Sequence, residues 1–104
     1  MFVLLYLYTE KIENMSFFIK IKEVVKNIES GHLVDAIKSL RLLATQFPSS
    51  SYADSLDRLD LSYRYMLKYA TEGVDDPQRG DIYKKICAEL KQIAEDMAEA
   101  MHER

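Results

Sequence analysis

Helix-breaking residues are so scarce in this 104-residue chain that they come close to dictating its architecture: three glycines and two prolines, confined to Gly31, Pro48 and the short stretch that holds Gly73, Pro77 and Gly80. A strand-rich chain of this length needs many more turn signals. The long intervals between the breakers carry apolar residues at helical spacing, and 48% hydrophobic content is enough for one core. The sequence therefore predicts an all-α protein, either an antiparallel four-helix bundle or a repeat-like stack of helical hairpins, as a single domain over residues 1–104.

The longest unbroken pattern lies between Tyr52 and Thr71. Tyr52, Leu56, Leu59, Tyr63, Met66 and Ala70 recur at intervals of four and three, which sets them along one side of a 3.6-residue helix. Leu61, Tyr65 and Tyr69 step by four along the opposite side. One apolar face docks a surface helix; a second implies a helix sandwiched between neighbours, or one that keeps a face for a partner. Ser51 with Asp54 has the form of a capping box, with aspartate in place of the preferred glutamate. At the far end Gly73 and Val74 suit a closure in which Val74 packs on Tyr69.

Before this segment, Phe17, Ile21, Val24 and Ile28 form a stripe between Ser16 and Ser30, widened by Phe18 and Val25, and Gly31 closes the helix. Upstream, the apolar run from Phe2 to Tyr8 has no basic region before it and no cleavage pattern after it, so it does not read as a signal peptide. Leu5, Tyr8, Ile12, Met15 and Ile19 keep helical spacing, so residues 1–15 either lengthen the first helix or extend the chain ahead of a natural start at Met15. A second helix, from about Leu33 to Phe47, turns Leu33, Ile37, Leu40, Ala44 and Phe47 inward with Val34, Ala36 and Leu43 beside them, and Pro48 stops it. The short link makes the two helices an antiparallel hairpin. Asp76 and Pro77 begin the last helix, regular from Asp81 to about Met101. There Tyr83, Ile86, Leu90, Ile93, Met97 and Ala100 form a heptad seam, for the Tyr52–Thr71 helix or, alternatively, for a second copy in a homodimer.

Gly31, Ala36 and Pro48, with Leu33, Leu40 and Leu43, lie at the spacing of the glycine, the small second-helix residue, the closing proline and the apolar positions of a tetratricopeptide repeat. Residues 31–48 thus resemble the second half of one repeat. Lys20, Glu23 and Val24 stand where the first half carries a large aromatic, a leucine and a small residue, and no second copy follows, so the resemblance implies one repeat-like hairpin rather than an array. A further stretch, Tyr65 to Tyr83, is similar to an N-terminal segment of larger uncharacterised bacterial helical proteins. That likeness implies a longer parent chain continuing past Arg104 and brings no activity with it.

Net charge is −3, with six Lys/Arg against five Asp/Glu in residues 1–52 and eight against twelve in residues 53–104. An acidic second half argues against nucleic acid as a partner, which demands clustered positive charge. The single cysteine, Cys87, allows no intrachain disulfide, and no segment reaches the roughly 20 apolar residues that span a bilayer. The expectation is a cytoplasmic protein with no membrane partner.

Catalytic patterns are missing: there is no phosphate-cradling glycine loop, no nucleophile elbow and no His-Glu-x-x-His. His32 and His102 have no cysteine or second histidine at ligand spacing. Asp54, Asp57 and Asp60 form a slanting carboxylate row that could hold a hard cation in a metal-dependent helical hydrolase, but Arg58 and Arg64 are within pairing distance on the same helix. The sequence therefore assigns no catalytic residue, cofactor or metal. It predicts a helical interaction or scaffold module, whose candidate surface is Leu61, Tyr65 and Tyr69 and whose partner is a protein, a peptide or the rest of a longer chain.

Overall fold

The computed structural model describes residues 2–73 and 77–103, with side chains from Met15 onward. It contains four helices, α1 (Phe2–Glu29), α2 (Leu33–Ala44), α3 (Tyr52–Thr71) and α4 (Arg79–His102), and no strand among the described residues. The chain is an all-α bundle. Helix α1 packs on α2 and α4, α3 packs on the same two, and α2 meets α4 across the middle, so that among the described residues α1 and α3 stand on opposite corners with no close backbone approach.

The α1–α2 turn forms because Gly31 adopts φ +82°, a left-handed conformation that costs other residues dearly. Its N–H donates to the Ile28 carbonyl at 3.2 Å and the His32 N–H donates to the Asn27 carbonyl at 2.8 Å, which together make a complete Schellman closure. Gly73 repeats the left-handed step at the end of α3, with φ +76° and a bond to the Ala70 carbonyl. The expected packing of Val74 on Tyr69, and the expected cap at Asp76, lie outside the described residues.

Three expectations are corrected, the first being the start of the last helix: α4 begins at Arg79, after a turn over Pro77 and Gln78, rather than at Pro77 or Asp81. Helix α2 ends at Ala44 rather than Phe47, because Thr45, Gln46 and Phe47 donate to carbonyls three residues back and wind into a tighter final turn. The Thr45 hydroxyl reinforces that turn by donating to the Leu42 carbonyl at 2.6 Å. Ser51 makes no side-chain cap, so the capping box does not form. The Ser50 hydroxyl stands in, accepting from the Tyr52 N–H at 3.5 Å while donating to the Phe47 carbonyl.

The core is drawn unevenly from the four helices. Half of α2 is buried, led by Leu33, Ala36 and Leu40, whereas α3 buries only Leu56 and Leu59, both in its first half. Helix α1 contributes Phe17, Ile21, Val24 and Ile28, and the seam of α4 contributes Ile86, Leu90, Ile93 and Met97. That seam is consumed inside the chain. Met15 and Ile19 are exposed, while Leu5, Tyr8 and Ile12 of the same expected stripe lie outside the described side chains; Val34 is exposed as well.

Ring contacts and an ion pair fix how the helices align. Phe18 meets His102 near the end of α4, and Phe17 meets Phe47 just past α2, with centroids 5.6 Å and 5.9 Å apart. At the other end Glu29 pairs with Lys91 at 3.3 Å, which sets the α1–α2 turn beside the middle of α4. The second half of α3 and the first half of α4 continue past the turn as a pair, and the long axis reaches 64 Å against 26 Å and 17 Å across.

Candidate interaction surface

The consequence for α3 follows from length. At about 1.5 Å per residue the 12 residues of α2 cover roughly 18 Å, while the 20 residues of α3 span roughly 30 Å. Helix α1 sits on the far corner and adds no cover. Leu61, Tyr65 and Tyr69 consequently remain 56%, 57% and 49% exposed along one face. Leu67, on the α2 side of α3, and Ile82, on the overhanging start of α4, are exposed apolar neighbours at the same end. Of the stripe expected to face inward, Leu56 and Leu59 are buried, Tyr52, Tyr63 and Met66 are half-buried, and Ala70 is exposed beyond the reach of any neighbour.

Beside this face runs an open groove between α3 and α4, of about 480 Å³, with Leu59, Ile82 and Ile86 as its apolar lining and Arg58, Ser62, Lys85 and Glu89 as its polar rim. It continues for about 200 Å³ more past Ser55, Gln92 and Ile93. The sequence reading missed this groove. Its signal was Ile82, which lies one turn before Ile86 at the edge of the seam and was not counted in it.

Two of the three aspartates in the row, Asp57 and Asp60, are held by arginines. Arg41 of α2 reaches Asp57 at 2.9 Å and Asp60 at 3.4 Å, and Arg64 reaches Asp60 at 3.2 Å, one turn along α3. Asp60 and Arg64 form the helix-surface pair that their spacing implied. Arg58 takes no part in it, and Arg41, remote in sequence, does. No cluster of three or more potential metal ligands occurs among the described residues.

Behind the overhang, Tyr63, Tyr83 and Cys87 gather under the α1–α2 turn, where the Tyr83 hydroxyl lies 3.4 Å from the position of a Cβ at Gly31. Burial, reinforced by the Cys87 thiol and then by Tyr63, pushes the Tyr83 phenol above its usual range. Burial likewise raises Tyr52, helped by the negative charge of Asp96. Both hydroxyls stay protonated at neutral pH, so neither supplies a general base. Across the described residues no helix is long and apolar enough to cross a membrane. No family model, curated protein or solved structure matches this chain.

Proposed function

We propose that this protein is a helical protein–protein interaction module of the cytoplasm, and that the outer face of α3 is its docking surface. The supporting observation is the half-exposure of Leu61, Tyr65 and Tyr69 on the one helix that places only two residues in the core. Tyrosine suits such a surface, combining large apolar area with a polar tip at little conformational cost. The fully buried Ala36 and left-handed Gly31 also fit the tetratricopeptide-like hairpin, a scaffold type in which paired helices present side chains to a peptide.

The test separates surface from core. Tyr65→Ala combined with Tyr69→Ala is expected to leave the melting temperature within a few degrees of wild type, since exposed positions change stability by roughly 0.5 kcal/mol or less. Amphipathic helical peptides selected from a displayed library for binding to the wild-type chain are expected to lose that binding to the variant. Peptides that bind both chains equally, or a variant that melts far below wild type, would refute the assignment.

A further inference from the structure

The exposed face of α3 carries charge in an order that repeats when the helix is reversed. With Leu61 as centre, Asp54 lies seven residues before it and Lys68 seven after; Asp57 lies four before and Arg64 three after; Arg58 lies three before and Tyr65 four after. At about 100° per residue, Asp57 and Arg64 fall on one flank of Leu61, Arg58 and Tyr65 on the other, and Asp54 and Lys68 close to its own meridian. All seven side chains are exposed. Among the described residues neither Asp54 nor Lys68 makes an ion pair within the chain.

We infer that the occupant of this face is a second copy of the chain, docked with its α3 antiparallel about a two-fold axis at Leu61. A two-fold axis normal to the plane of two antiparallel helices opposes each residue to the one equally far on the other side of centre, on the same flank. Asp54 then meets Lys68 of the second copy, Asp57 meets Arg64, and the Arg58 guanidinium lies over the Tyr65 ring, each twice by symmetry. An opposite charge thus meets Asp54 and Asp57 of each copy, Asp57 and Arg64 adding this contact to the pairs they make with Arg41 and Asp60 within their own chain, and the like-charged Arg58 and Arg64 are kept on different flanks. Leu61 packs on its own symmetry mate, with Tyr65 extending the apolar contact. A parallel partner would set Asp54 against Asp54 and Lys68 against Lys68, so the charge order selects the antiparallel arrangement.

The inference rests on the reading of this face as a docking surface, and its failure is distinguishable from the failure of that reading. The full chain is followed by sedimentation equilibrium up to about 1 mM, with helicity checked by circular dichroism. The wild-type chain is expected to dimerise. Asp54→Lys is expected to weaken dimerisation about tenfold, because the reversed pair occurs twice, and adding Lys68→Asp is expected to restore it.

Location is read by crosslinking in a Cys87→Ser background. Facing Cα atoms on the axis lie about 4–5 Å apart at an interhelical distance of about 8–10 Å, so Leu61→Cys is expected to form a disulfide dimer. Tyr65→Cys is not, since its symmetry mate lies about 12 Å along the helix. A wild-type chain that stays monomeric, a dimer indifferent to Asp54→Lys, or a crosslink that forms equally at both positions overturns the inference. The peptide selection described above still decides whether the face binds anything else.

Discussion

Gly31 is the residue on which the shape of the molecule turns, and the cost of replacing it can be worked from its surroundings. Alanine at φ +82° carries a left-handed penalty of about 1–2 kcal/mol. Its smaller backbone entropy in the unfolded chain returns about 0.4–1 kcal/mol. The new Cβ would stand 3.4 Å from the Tyr83 hydroxyl, an ordinary contact that adds no steric term. Gly31→Ala is therefore expected to destabilise by about 1 kcal/mol, a drop of roughly 4–8 °C in Tm for a chain of this size. Gly31→Asn, which tolerates the left-handed region better, is expected to lose less. Urea unfolding followed at the helical circular-dichroism band gives the difference as a shift in midpoint at constant slope. A Tyr83→Phe background tests the origin: a conformational penalty persists there unchanged, whereas a clash with the hydroxyl disappears. An alanine variant as stable as wild type would refute the reasoning, for it would mean that residue 31 bears no net left-handed penalty.

Leu56→Ala, at a fully buried position, is expected to cost about 2–5 kcal/mol, and Leu61→Ala, on the opposite face of the same helix, less than about 1 kcal/mol; comparable losses in chemical denaturation would show that the outer face is packed. Arg41→Ala removes both ion pairs that tie α2 to α3, but the arginine is half exposed, so the loss is at most about 1 kcal/mol and is expected to vanish near 1 M salt; a salt-independent loss would point to packing instead. Because burial raises Tyr52 and Tyr83, the unfolded chain releases those protons first: their contribution is complete below a pH of about 10 and is lost as pH rises through the folded values. Tyr83→Phe is expected to shrink the fall in urea midpoint between about pH 9 and about pH 11, and an unchanged fall would assign it elsewhere.

How far the sequence spoke for the fold depended on whether the deciding interaction was local. The limits of α3, Tyr52 and Thr71, were legible because serines precede the helix and a left-handed glycine follows it. Local reading also found the pairing of Asp60 with Arg64, a single turn apart. The capping box misled because it described a side-chain option at Ser51 that the neighbouring Ser50 took instead. Arg41 could not be anticipated, since nothing near it in the sequence marks Asp57 and Asp60 as its partners.

The candidate surface shows the limit most clearly, because α3 carries two apolar stripes and periodicity alone cannot rank them. What ranks them is the length of the neighbour. Gly31 and Pro48 confine α2 to 12 residues, and those residues place six side chains in the core, so α2 is fully used against α1, α4 and the first half of α3. The pairing of Glu29 with Lys91 then sets the hairpin turn halfway along α4, and α1 is left on the corner from which it cannot reach α3. The stripe with Leu56 and Leu59 is buried because it begins where α2 is present; Leu61, Tyr65 and Tyr69 lie mostly where α2 has ended and stay exposed. An α2 long enough to follow α3 to Thr71 would still cover only the Leu67 flank, because the Leu61 meridian points outward from the bundle. Only a helix from outside this fold can cover that meridian, and the antiparallel charge order of α3 describes one that would.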